Sequence, residues 1–217
     1  MTHYRRNYVP GGTYFFTVVT ASRRPIFQTD TTRALLREAI RRIQTKRPFE
    51  TVATVLLPDH LHCIWTLPHR DSDYSTRWQQ IKEGFTRAFL NAGGEEAVTS
   101  ESRHNRRERA VWQRRFWEHT CRDEDDLKRC VDYVHWNPKK HGLVTNVCDW
   151  PWSSFHRFVT EGEYSADWGR DDPAPGFDAP EWGDVSVRVG LAALDPPYRT
   201  RPSTCRSASS RPANRKR

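Results

Sequence analysis

Apolar positions recur along the first three quarters of the chain at two distinct periods. Residues 13–20 (TYFFTVVT) follow Pro10-Gly11-Gly12 and are β-branched and aromatic, which predicts a strand. Residues 30–46 place Ala34, Leu35, Ala39, Ile40 and Ile43 at helical spacing, with Thr or Asp near the start as a cap. Residues 49–57 and 60–67 predict a second and a third strand, joined into a hairpin by Pro58-Asp59. Residues 75–90 predict a second helix, with Trp78, Ile81, Phe85, Ala88 and Phe89 on one side and Asn91 and Gly93-Gly94 at its end. A polar, charged stretch over 95–109 is expected to be an exposed loop. The aromatic and basic block 110–119 predicts a short strand and turn. Residues 123–136 predict a third helix whose acidic first turn suits the positive end of the helix dipole, with Asn137-Pro138 stopping it or tightening its last turn. Residues 142–144 and 150–155 are expected to pack as a closing segment.

This order is compatible with a ferredoxin-like (RRM-like) α+β sandwich, with helices on one face of an antiparallel sheet. After Trp168 the composition changes. Residues 171–184 are acidic and rich in Pro and Gly, and residues 199–217 are Ser, Pro and Arg with no acid. Such a segment buries too little apolar surface to order itself. The expected division is a domain over 1–168 and a low-complexity, disordered basic tail over 169–217.

Charge narrows the partners. The chain has 217 residues and a formal net charge of +8, so an anion is the expected partner, nucleic acid before an acidic membrane surface. Five cysteines with no Cys-x-x-Cys pair argue against a zinc ribbon and against a disulfide framework, and fit a reducing cytoplasm. There is no apolar run of membrane-spanning length and no apolar core of a secretory signal at the N-terminus.

The chemistry concentrates at two places. In the strand carrying His60-Leu61-His62-Cys63-Ile64-Trp65, alternation puts His60, His62 and Ile64 on one face and Leu61, Cys63 and Trp65 on the other. Two imidazoles on one face of a strand can grip one metal ion, or can simply be satisfied by hydrogen bonds. In the third helix Tyr133 and Asn137 are four apart and share a face. If that face meets the histidines, three ligands and a hydroxyl converge, with positions left open for phosphate oxygens and water. A phenol, with an unperturbed pKa of about 10, is a weak nucleophile and needs a polarised electrophile or help in losing its proton.

His60-Leu61-His62 resembles the His-hydrophobic-His signature of the HUH single-strand nucleases. Tyr133-Val134-His135-Trp136-Asn137-Pro138, followed by Lys139-Lys140-His141-Gly142, resembles the catalytic helix of the REP-associated tyrosine transposases, single-tyrosine relatives of the insertion-sequence transposases. Leu57-Pro58-Asp59, Trp112-Gln113-Arg114-Arg115-Phe116-Trp117-Glu118-His119 and Trp150-Pro151-Trp152-Ser153-Ser154 also resemble that family's blocks, and together the likeness spans roughly residues 8 to 168. The resemblance implies that Tyr133 attacks a phosphodiester in single-stranded DNA, forming a 5′-phosphotyrosine link and releasing a 3′-hydroxyl. It implies that His60, His62 and Asn137 hold a divalent ion, Mg²⁺ or Mn²⁺, and that strands are later rejoined without ATP or another nucleotide cofactor. Related insertion-sequence enzymes often use Gln where this chain has Asn137. The implied partners are single-stranded or hairpin DNA formed by palindromic repeats, bound by a monomer or homodimer in a prokaryotic cytoplasm, near the nucleoid.

Basic and aromatic residues near these blocks are the candidate DNA contacts: Arg5, Arg6, Arg23 and Arg24 beside the first strand, and Trp112, Arg114, Arg115 and His119 in the aromatic block. His135 points to a different part of the helix from Tyr133. Two further readings stay open here. One is a non-catalytic regulator that binds hairpin DNA or RNA on the same architecture. The other is a two-His-one-carboxylate iron site, which needs an acid in register with the histidines.

Overall fold

The computed structural model describes residues 6–98, 101–106, 108–177 and 179. Four strands form an antiparallel sheet in the order β2-β3-β1-β4: β1 (Thr13–Val19), β2 (Glu50–Leu56), β3 (His60–Thr66) and β4 (Trp117–Thr120). The hairpin between β2 and β3 is closed by Leu57 N donating to His60 O at 2.8 Å. β1 pairs with β3 in a register that sets Thr17 opposite His62 and Val19 opposite His60.

Side-chain alternation gives each face of the sheet its own core. Tyr14, Phe16 and Val18 of β1 and Leu61, Cys63 and Trp65 of β3 pack with α1 (Asp30–Lys46) and α2 (Tyr74–Asn91). Trp65 and Trp78 stack there, with ring centroids 4.2 Å apart. Phe15, Ala53, Val55 and Ile64 point the other way and pack against Cys130, Val131, Tyr133 and Val134 of α4 (Glu124–Lys140). The sheet is therefore covered on both faces, rather than on one as the element order suggested. The reason is visible in β1 and β3, where nearly every residue is buried: a strand with one wet face would alternate.

α4 also differs from its sequence expectation. Its N-terminus is capped by the Asp123 side chain, which accepts from Asp126 N at 2.8 Å. Its C-terminus runs past Pro138 to Lys140, and His141 N still reaches Asn137 O at 3.0 Å. The stretch expected to be a loop over 95–109 contains a short helix, α3 (Glu101–Asn105). The closing segment lies along the outer edge of β2: Leu56 N donates to Trp152 O, Ser154 N to Thr54 O, and Trp150 Nε1 to Leu56 O, at 2.8–3.0 Å. α5 (Phe155–Glu161) follows and ends at Gly162, whose φ of +81° is the left-handed conformation a helix stop favours.

Packing does not break at residue 168. Lys139 Nζ donates to the carbonyls of Gly169 and Arg170, and Phe177 and Ala179 enter the α4-side core. The remainder of the expected tail, residues 180–217, lies outside the described residues.

Candidate active site between the sheet and α4

His60 and His62 sit on the α4 side of β3, both essentially fully buried, with ring centroids 4.8 Å apart. Each ring is oriented through its Nδ1. His62 Nδ1 is 3.0 Å from Thr17 Oγ1, its neighbour across the sheet. His60 Nδ1 is 2.6 Å from Asp59 Oδ1, and Asp59 is in turn 3.4 Å from Arg23 Nε. Burial pushes the Asp59 carboxyl up, but the His60 hydrogen bond and the charges of His60 and Arg23 outweigh it and hold the group below its usual range. Burial depresses His60 more than the carboxylate raises it, which favours the neutral ring. With Nδ1–H donated to Asp59, the lone pair of His60 is on Nε2, the arrangement a metal ligand needs. Arg23 is held on Asp59 by a loop with two left-handed residues, Ser22 (φ 55°) and Arg23 (φ 50°), a conformation L-residues rarely adopt.

α4 brings the remaining groups. Asn137 is fully buried; its Nδ2 donates to Tyr133 O at 2.9 Å. Two acceptor atoms here, His60 Nε2 and Asn137 Oδ1, are buried with no hydrogen-bond partner among the described residues. Leaving a buried acceptor unmet costs about 1–3 kcal/mol, so their chemistry, one imidazole nitrogen and one amide oxygen beside His62, fits a divalent cation. The Tyr133 ring lies edge-on to His62 at 5.5 Å and to Phe15 at 5.8 Å. The phenol oxygen accepts from Lys140 Nζ at 3.0 Å, and that ammonium is 4.8 Å from the ring centre. Tyr133 and Lys140 are two helical turns apart, so the pair exists only because α4 continues through Pro138. The His141 ring lies 5.1 Å from His60. All of these groups come from one chain.

Comparison with known proteins fits this geometry. The family described as Transposase IS200 like matches residues 8–137. A REP-associated tyrosine transposase of Escherichia coli (strain K12) is 46% identical over 171 residues, which is 79% of this chain and 93% of that protein. The chain is a REP-associated tyrosine transposase of the IS200-like family. A relative from Haemophilus influenzae carrying the same family name is 44% identical over 169 residues, 78% of the transposase and 94% of the relative. A solved structure of a REP-associated tyrosine transposase bound to a REP hairpin superposes with a TM-score of 0.66 at 43% identity, over 83% of this chain and 99% of that one.

The transposase distributes its other candidate residues unevenly. Arg23 reaches the site through Asp59, as above. Arg6 donates to Ser75 Oγ at 2.6 Å and covers the Phe116 ring, while Arg24 donates to Glu95 O at 2.7 Å. Trp112 is buried between Phe27 and Phe85, so its ring is core rather than a platform open to a base. Arg114 pairs with Glu108, and Arg115 is exposed. His119 Nε2 is 2.8 Å from Asp126 Oδ2. Arg5 lies outside the described residues. His135 turns away from the site, with Nε2 2.8 Å from Ser154 Oγ; burial, then the nearby Arg157 charge, drops it to about 3, so it stays neutral.

Three members of the site escaped the sequence reading. Asp59 belongs to the turn before β3, where strand alternation assigns it no face, yet its carboxylate orients His60. Lys140 and His141 lie beyond Pro138, past the predicted helix over 123–136. The signal was present in the seven-residue spacing from Tyr133 to Lys140. Phe177 also covers the nucleophile candidate, edge-on to Tyr133 at 5.3 Å, and Tyr133 as a residue is only 2% exposed.

Proposed function

We propose that this transposase cleaves and rejoins single-stranded DNA beside a hairpin formed by a palindromic repeat, using Tyr133 as the nucleophile. The observation that carries this reading is the meeting of the Tyr133 ring with His62 in one chain, next to two buried acceptors that find no donor among the described residues. Hairpin DNA as the partner is supported by the REP hairpin bound to the structural relative.

Tyr133 Oη attacks the phosphorus of a phosphodiester in the unpaired DNA flanking the hairpin. The P–O3′ bond breaks, the 5′-phosphate stays on the tyrosine, and the 3′-oxygen leaves and takes up a proton. The phenol proton passes to water as the O–P bond forms, and Lys140 Nζ, already on the phenol oxygen, stabilises the negative charge that returns to that oxygen when it is expelled during rejoining. His60, His62 and Asn137 would hold a divalent ion, Mg²⁺ or Mn²⁺, which supplies Lewis-acid polarisation of the phosphate. Asp59 and Thr17 keep the two imidazoles turned with Nε2 away from their own backbone. DNA reaches the phenol only when the segment carrying Phe177 gives way. The nucleophile and the three candidate ligands lie within one chain, which supports a monomer as the acting unit. Among the described residues no helix is long and apolar enough to cross a membrane, and the proposed place of action is the cytoplasm.

The test is a denaturing gel of the protein incubated with a single-stranded repeat hairpin, its flanks and Mn²⁺ or Mg²⁺. Tyr133→Phe is expected to abolish the covalent adduct while hairpin binding stays within a few-fold. An adduct that survives in Tyr133→Phe removes this tyrosine from the role. A wild-type protein that binds the hairpin and never forms an adduct is a regulator instead.

A further inference from the structure

On the far side of Trp117 and Phe177 from the histidine pair, a second cluster joins β4 to the start of α4. His119 comes from β4, Asp126 and Cys130 from α4, and the ligand atoms of these three lie within 4.8 Å of one another. Cys121, just past the end of β4, sits within hydrogen-bonding reach of the Cys130 sulfur. Asp126 and Cys130 are four apart and share a helical face, while His119 and Cys121 are two apart and share a side of an extended segment. Two nitrogen and oxygen donors and two sulfurs therefore meet across one interface.

We infer that His119, Asp126, Cys121 and Cys130 form a second metal site, one that takes a thiophilic divalent ion of the zinc type and is separate from the catalytic ion. Ligands at about 2.0–2.3 Å from such an ion stand roughly 3.3–3.8 Å apart across a tetrahedron, and those of His119, Asp126 and Cys130 already lie within 4.8 Å of one another. On loading, the 2.8 Å contact between His119 Nε2 and Asp126 Oδ2 opens and the two sulfurs draw in, Cys121 from outside the 4.8 Å group.

The donor set also explains the charges around it. Binding releases two protons, one from each thiol, while the imidazole proton moves from Nε2 to Nδ1. One dication with two thiolates and one carboxylate leaves a net charge of −1. Two arginines already face Asp126: Arg122 donates to Oδ2 through N at 3.1 Å and Nε at 3.2 Å, and Arg129 donates to Oδ1 at 3.3 Å. They would balance the excess negative charge from outside the ligand set. The carboxylate itself is 2% exposed and Cys130 is fully buried, so the site is closed on the helix side. Without a cation Cys130 keeps its proton: the hydrogen bond to Cys121, and then burial, hold it far above the ordinary thiol range. Oxygen-preferring ions such as Mg²⁺ have no use for two sulfurs, so the two sites sort ions by donor type. The consequence is structural: a loaded site ties the strand end to the helix one turn before Tyr133.

Cobalt(II) reports this directly, because a thiolate ligand gives a charge-transfer absorption in the near ultraviolet and the histidine–asparagine site contains no sulfur. The full chain, kept reduced, is titrated with Co²⁺ and then Zn²⁺. The expected result is a band that saturates at about one equivalent and is bleached by Zn²⁺. It should be retained in a His60→Ala/His62→Ala variant, lost in Cys130→Ser and weakened at least several-fold in Cys121→Ser. If Cys130→Ser does not fold, His119→Ala, at a half-buried position, must shift the saturation point by tenfold or more. Zn²⁺ should also raise the unfolding temperature of the His60→Ala/His62→Ala variant and not that of a Cys121→Ser/His119→Ala variant. The absence of a band from the reduced wild type overturns the site. So does a band that persists without Cys121 and Cys130, or a Cys121–Cys130 disulfide that returns to two thiols with no metal affinity.

Discussion

The two faces of the sheet are made from the same strands and solve different problems. Toward α1 and α2 the side chains of β1 and β3 are aromatic and aliphatic, stacked closely, as with Trp65 on Trp78 and Phe49. Toward α4 the same strands contribute His60, His62 and Thr17, and the helix returns Tyr133 and Asn137. One face holds its apolar groups in mutual contact; the other leaves His60 Nε2 and Asn137 Oδ1 buried without donors among the described residues. A period of two lets one strand do both, because neighbouring residues cannot face the same way. The apolar face thereby fixes the position of the polar one: Leu61, Cys63 and Trp65 anchor the strand on which His60 and His62 are carried.

Substitutions on the two faces should therefore separate stability from chemistry. The largest effect is expected from His60→Ala and from His62→Ala, each removing divalent-ion-dependent cleavage in a nicking assay while lowering stability less than loss of a core aromatic does. Cleavage unchanged in either variant would sink the proposed ion site. Trp65→Ala should do the reverse, lowering stability by about 3–5 kcal/mol in denaturant unfolding. Such a loss is a large share of the 5–15 kcal/mol typical of a domain. Asp59→Asn breaks the link between the faces' logic more gently: the hydrogen bond that orients His60 weakens, and ion affinity should fall about 10–100-fold by titration. Phe177→Ala, which uncovers Tyr133, should raise the initial rate of adduct formation several-fold at equal hairpin affinity.

The smallest expected effect is a pH signature on the apolar side. Lys82 lies over Trp112 and Phe116 with its Nζ on the carbonyl of Gln113. Burial first, then the Arg6 and Arg103 charges, bring it down to about 7. The unfolded chain holds that proton up to about pH 10.4. Between these values the unfolded state binds more protons, so stability rises with pH, by at most about 1.4 kcal/mol per unit. Lys82→Met should flatten that rise, measured as unfolding free energy at pH 7, 8 and 9. A slope unchanged in the variant would show that Lys82 is not its source.

Local periodicity made much of this readable in the sequence. The ends of α1, the hairpin from β2 to β3 and the division of β3 into a histidine face and an apolar face all follow from spacing within a few residues. The pairing of Tyr133 with Asn137 follows from one helical turn. What spacing does not carry is which surface a helix chooses. The placement of α4 opposite α1 and α2 depended on the near-continuous burial of β1 and β3, which reads equally as a buried core strand of any sheet. Lys140 stayed hidden because a proline ordinarily marks a helix end, whereas here the last turn tolerates it. Asp59 stayed hidden because strand alternation says nothing of a turn residue whose side chain folds back on its neighbour. Trp112 reads as a surface aromatic among arginines, and only the packing of Phe27 and Phe85 around it shows otherwise.

The segment laid along β2 has a consequence for how the molecule meets its own copies. An open outer strand invites another chain to hydrogen-bond to it, and from there to stack without limit. Here Trp152 and Ser154 occupy the backbone groups of Leu56 and Thr54, and the opposite margin, β4, offers only the four residues Trp117–Thr120. Neither border is a good template for runaway sheet extension, so copies of this strongly cationic chain are kept from polymerising through their sheet edges.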